Sequence, residues 1–145
     1  MERESDTIIA LSSGRGRSGV GVIRLSGPRS FLVIEKLTRS SLPIPRRAGL
    51  RKLYVSDQVF DEALVLTFPG PHSFTGENCA EIHCHGSPAI TEGLLAFATN
   101  FDGVRLAERG EFTRLAVENG KLDLLQAEGI QDIILAQTPR QVEQA

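Results

Sequence analysis

The sequence is poor in the elements on which several common functions are built. Only two cysteines occur in its 145 residues, Cys79 and Cys84, five apart in one segment. That excludes a disulfide framework and favours a reducing compartment. No apolar run approaches the roughly 20 residues of a membrane-spanning helix. The opening "MERESDTIIALSSG" passes from charges straight into an apolar run. It holds no hydrophobic leader with a small-residue cleavage site, and no long Arg/Ser-rich transit stretch. A chain trimmed at a processing site would read the same way. No G-x-x-x-x-G-K-[ST] phosphate loop is present, so nucleotide binding by that device is excluded. No nucleophile elbow is recognisable either, and we assign no catalytic residue.

What is present fits one compact soluble domain: 41% hydrophobic and 23% charged residues on a chain long enough for a real core. The charge is uneven. Residues 1–52 carry 11 Lys/Arg against 4 Asp/Glu, and residues 53–145 carry 5 against 14. The basic first third would suit an anionic ligand or RNA. Equally, the basic and acidic surfaces of one domain, or of two subunits, would face each other.

Apolar, β-branched runs predict strands over 7–11, 20–26, 50–56, 63–68 and 78–85. A helix is expected after Ser26-Gly27-Pro28, with Ser26 or Gly27 as cap and Phe31, Ile34 and Leu37 as its apolar face. Pro88 opens a second helix to about Phe101, and "VRLAERGEF" reads as short and irregular. "TRLAVENG" is a short helix stopped by Gly120. From Lys121 a longer helix runs on, with Pro139 as kink or end. Strands and helices without strict alternation point to an α+β or mixed α/β sheet.

Within "SSGRGRSGVGVIRLSG", Gly14, Gly16 and Gly19 spell G-x-G-x-x-G. A dinucleotide fingerprint needs a helix next, whose N-terminus receives the pyrophosphate. Here the strand-like "VGVIRLS" follows, so the motif fails. The loop remains a strand connection, or a lip over a ligand to which Arg15 or Arg17 lends charge. "NCAEIHCH" invites a zinc reading, but strand alternation sends Cys79, Glu81, His83 and His85 to one face and Ala80, Ile82 and Cys84 to the other. Too few ligands converge, and no metal site is assigned. The same alternation aligns Glu81 with two imidazoles. Lys121, read as the first residue of a helix, would oppose the positive dipole end there, which marks it for a ligand carboxylate or phosphate.

Three long motifs, "DTIIALSSGRGRSGVGVIRLSGP", "FPGPHSFTGENCAEIHCHGSP" and "GEFTRLAVENGKLDLLQAEGIQDII", occur in order. Together they resemble the N-terminal domain of the MnmE/TrmE tRNA-modification GTPases. The "ALSSGRGRSG" opening is similar to the eukaryotic, mitochondrial branch. The resemblance implies a mixed β-sheet with flanking helices, like the folate-binding domain of aminomethyltransferases. Residues 1–120 would form a folate-binding and dimerisation domain, and 121–145 the truncated start of a helical domain. It implies a homodimer that binds 5-formyltetrahydrofolate or a related tetrahydrofolate as one-carbon donor for modification of the wobble uridine of tRNA. A MnmG/GidA-type FAD-dependent partner is implied too. GTP hydrolysis, with GTP, Mg and K, would belong to a G domain absent from this chain. Location would be mitochondrial, or cytoplasmic for a bacterial protein.

Carried over residue by residue, the implied folate contacts are Arg24 of "IRLSG", Glu81 of "FTGENCAE" and Lys121 of "NGKLDL". A carboxylate accepts the amidine-like N–H edge of a pterin bidentately, which suits Glu81. Arg24 and Lys121 would take the carbonyl or the glutamate tail. Two departures stand out: His85-Gly86-Ser87 where the family has His-Gly-Gly, and Arg109 where it has proline before Gly-Glu-Phe. The alternatives are a stand-alone aminomethyltransferase-like folate enzyme domain and a pure dimerisation scaffold.

Overall fold

The computed structural model describes residues 5–12 and 19–130. The glycines and arginines of 13–18, and Pro139 with the rest of the C-terminal helix pattern, lie outside the described residues.

Among the described residues, alternating and β-branched segments form six strands. They are β1 (Thr7–Leu11), β2 (Val20–Ser26), β3 (Gly49–Tyr54), β4 (Val59–Phe68), β5 (Cys79–His85) and β6 (Val104–Leu106). Three helices join them: α1 (Ser30–Thr38), α2 (Pro88–Thr99) and α3 (Glu111–Glu118). A further helical segment covers 124–130. One six-stranded sheet results, in the order β3-β4-β5-β2-β1-β6. Every neighbouring pair is antiparallel except β1 with β6. The fold is therefore the mixed α/β arrangement expected.

Strand alternation gives the sheet two unlike faces. On one, Ile23 and Leu25 of β2, Ala80, Ile82 and Cys84 of β5, Ala63 and Val65 of β4 and Leu53 of β3 are buried. They pack against Val33, Ile34 and Leu37 of α1 and Leu94 and Ala98 of α2. The other carries Val22 and Arg24 of β2 opposite His83 and Glu81 of β5. Leu64 and Leu66 of β4 follow beside those two. Its β3–β4 end is uncovered, with Leu50 59% and Leu64 44% exposed.

Four expectations need correction. Helix α1 begins at Ser30, not after a Ser26 or Gly27 cap, because Gly27 takes φ 134° to turn the chain and Ser26 finishes β2. Strand β4 starts four residues before Ala63, since its charged Asp61 and Glu62 are held by the β3 hairpin. Residues 104–106 are not irregular. They pair in parallel with β1, a long-range contact that no local pattern announces.

Lys121 does not begin a helix. Its N–H reaches the carbonyl of Ala116 at 2.7 Å, closing the C-terminus of α3. Its cation thus sits at the favourable, negative end of a dipole. The next helix is started by Asp123, which accepts from the N–H of Gln126 at 2.7 Å while Gln126 Oε1 accepts from the N–H of Asp123 at 2.9 Å. This reciprocal cap satisfies two free donors.

Candidate functional site

Register brings the first two residues together. Arg24 and Glu81 are direct cross-strand partners on β2 and β5, near the middle of the sheet. Arg24 donates to Glu81 Oε2 through Nε at 3.3 Å and Nη2 at 3.1 Å. The pair is part-buried, with 31% of the arginine side chain and 20% of the glutamate side chain exposed. A guanidinium carries five N–H donors, so Arg24 keeps donors to spare. Two residues along β5, on the same face, His83 Nε2 lies 3.0 Å from Glu81 Oε1. His85 does not join them. Its Nδ1 lies 2.6 Å from Asp61 Oδ1 and its ring is 72% exposed.

Two aromatic rings complete the surroundings of Arg24. Its guanidinium carbon lies 5.7 Å from the ring centroid of Phe74 and 6.0 Å from that of Phe112, within reach of cation–π attraction. Phe74 belongs to the loop between β4 and β5, and Phe112 to the first turn of α3. The loop is fixed by its own polar residues. Ser73 Oγ donates to the carbonyl of Glu77, and Ser73 Oγ in turn accepts from the N–H of Gly76 at 3.0 Å. Ser26, at the end of β2, joins Thr75 Oγ1 at 2.7 Å and donates to Glu77 Oε1 at 2.7 Å.

Lys121 makes no hydrogen bond to Arg24 and no ion pair with Glu81; it approaches the same loop. Asn119 Nδ2 donates to the carbonyl of Thr75 at 2.6 Å, tying the end of α3 to the loop. A methyl group placed on Gly76 would meet Asn119 Cβ at 3.0 Å and Lys121 Cε at 3.5 Å. Lys121 therefore stands two residues along the loop from Phe74, and its ammonium has no ion-pair or hydrogen-bond partner among the described residues. The three expected residues thus form one contacting pair and one neighbouring cation.

Phe74, Phe112, His83 and Asn119 were not picked out as contacts from sequence. For His83 the signal was there, since alternation aligned it with Glu81. The aromatic cover depends on how the loop and α3 fold back, which no spacing encodes.

Other titratable groups hold the scaffold. Burial, with Asp61 nearby, pushes the Cys84 thiol up to about 11, so it is no nucleophile at neutral pH. Glu111, only 4% exposed, receives Arg105 Nη1 at 2.9 Å and Nη2 at 2.6 Å. That arginine holds the Glu111 carboxyl below the usual carboxylate range. The salt bridge fastens β6 to the start of α3, the helix that carries Phe112.

The GTP-binding protein TrmE N-terminus family matches residues 7–121. The chain belongs to the TrmE N-terminal family. TrmE relatives include the tRNA modification GTPase MnmE of Agrobacterium fabrum, 48% identical over 142 residues, covering 97% of this chain and 32% of that protein. Another is the mitochondrial 5-taurinomethyluridine-[tRNA] synthase subunit GTPB3 of Danio rerio, 53% identical over 142 residues, covering 97% and 28%. The Homo sapiens protein of that same name is 52% identical over 142 residues, covering 96% and 29%. Bacterial and mitochondrial TrmE relatives are thus about equally similar. The chain spans about a third of their length. The site described here lies within the matched residues, and no helix among the described residues is long and apolar enough to cross a membrane. Ser87 caps α2, its side chain accepting from the N–H of Ile90 at 3.4 Å ahead of Pro88 in the first turn. The structure gives no reason for Arg109 in place of proline.

Proposed function

We propose that this domain binds a reduced folate, 5-formyltetrahydrofolate or 5,10-methylenetetrahydrofolate, on the open face of its sheet. The observation that carries the reading is the Glu81 carboxylate, part-buried in mid-sheet and held by Arg24, with two aromatic rings near that arginine and Lys121, unpaired among the described residues, beside the β4–β5 loop. A pterin presents adjacent N–H donors along one edge, and a carboxylate accepts two of them side by side. The folate tail is a glutamate, and Lys121 supplies a cation that has no partner among the described residues. Phe74 and Phe112 offer apolar surface for the flat ring.

In the whole protein the folate serves as one-carbon donor for modifying the wobble uridine of tRNA, in keeping with the names of the relatives. Two copies of the domain pair, and a MnmG/GidA-type flavoprotein and a G domain act with them. The exposed Leu50 and Leu64 favour such pairing.

Calorimetric titration of the chain with 5-formyltetrahydrofolate tests the reading. Saturable binding is expected, weakened at least tenfold in Glu81→Gln. No binding by the wild type, together with a stable dimer in sedimentation, would leave a pairing scaffold. Unchanged affinity in Glu81→Gln would remove Glu81 from the pterin.

A further inference from the structure

The reduced-folate reading asks that both oxygens of Glu81 be aimed at one ligand edge. The last torsion of a glutamate side chain is soft, so the aim has to be imposed from outside. Two groups impose it. Arg24 holds Oε2 from β2, at 3.1 and 3.3 Å. His83 meets Oε1 from along β5, at 3.0 Å. An ionised carboxylate has about four acceptor sites, two on each oxygen. Oε1 keeps one free beside His83, and Oε2 gains one for a ligand when the longer, 3.3 Å bond from Arg24 Nε is given up.

We infer that His83 is a positioning residue for the folate site: its Nε2–H donates to Glu81 Oε1 and fixes the plane of the carboxylate for the pterin. The inference rests on the reduced-folate reading. It requires the Nε2–H form of the ring, because an ionised Glu81 only accepts. The neighbours leave this role to His83. Its cross-strand partners are Leu64 on β4 and Val22 on β2. Alternation puts Glu62 on the same face of β4, opposite Lys52 of β3. Arg24 is committed to the other oxygen, and His85 is turned to Asp61. The His83 side chain is 32% exposed, so its removal opens no cavity in the helix-covered core.

The test titrates 5-formyltetrahydrofolate, and its 2-desamino analogue lacking one donor of the edge, into five proteins: wild type, His83→Ala, His83→Gln, Glu81→Gln and the double variant His83→Ala/Glu81→Gln. His83→Ala is expected to weaken the folate about five- to tenfold, the size of one hydrogen bond. His83→Gln, which retains an N–H donor, recovers most of that. The loss shrinks for the desamino ligand, and His83→Ala adds little in the Glu81→Gln background. A purely structural role would lower affinity equally for both ligands and in both backgrounds, and that result overturns the inference. So does a His83→Ala protein that binds like wild type while Glu81→Gln is weakened; the folate reading then survives alone. Absence of folate binding by the wild type removes both.

Discussion

The two faces of this one sheet are built from the same strands and have opposite characters. Ile82 and Glu81 are consecutive on β5, yet Ile82 is 1% exposed beneath the helices while Glu81 holds a charge on the other side. On β2, Leu25 is buried and Arg24 beside it reaches for Glu81. The helix-covered face contributes stability through apolar area removed from water. The open face collects what is costly to bury: a carboxylate, a guanidinium, an imidazole and aromatic rings, each with a partner. Antiparallel register connects the two. A slip of one residue between β2 and β5 would send Arg24 into the core and Ile23 to the surface, so the packing that fixes the register also assembles the site.

Substitutions on the two faces should separate in their effects. Ile82→Ala is the largest expected change, at about 2–5 kcal/mol of stability, because it leaves a cavity between β5 and the helices. Chemical denaturation should record it as a lowered midpoint. Glu81→Gln should do the reverse, keeping the midpoint within about 1 kcal/mol while costing at least a factor of ten in folate affinity.

Glu111→Gln touches the scaffold that carries Phe112, and about 1–3 kcal/mol of stability should be lost at neutral pH. The sign of its pH dependence follows from a depressed carboxyl. The native state favours the ionised form, so the contribution is complete above the unfolded carboxylate value of about 4.3 and disappears as pH falls through the lower, native one. Thermal melts of wild type and variant should therefore converge as pH is lowered below about 4. Gly76→Ala is a smaller probe, about 1 kcal/mol, because Gly76 has φ 86° and faces Asn119 and Lys121. It should disturb the loop and folate affinity more than the core. Smallest of all, Cys84 should resist alkylation at pH 8 in the folded protein and react on unfolding.

The sequence made one face more legible than the other. Runs such as "TIIAL" and "VGVIRLS" declare strands through their β-branched residues, and Pro88 declares the start of α2. The failure of the glycine motif was readable too, since β2 and not a helix follows Gly19. Strand β6 was not, because three residues hold their conformation only by pairing with β1 across about a hundred positions. Lys121 was misread for a related reason. A glycine stop says that a helix ends, but not how many residues pass before the next one is capped, here by Asp123. Arg24 came from resemblance to a family alone, and so did the folate roles of Glu81 and Lys121. Alternation added that Glu81 shares a face with His83 and His85, and the dipole argument that marked Lys121 rested on the helix start corrected above. The two rings near Arg24 come from a loop and a helix that meet through Asn119 and Thr75, and no local pattern carries that.

The central claim is that a pteridine lies against Glu81 on the open face. A crystal structure of the chain with 5-formyltetrahydrofolate tests it most directly. The account predicts the pterin amidine edge on both Glu81 oxygens, with Arg24 and Lys121 within hydrogen-bond reach of the ligand. A folate seated elsewhere, with the Arg24–Glu81–His83 contacts unchanged and Lys121 away from the ligand, would contradict it.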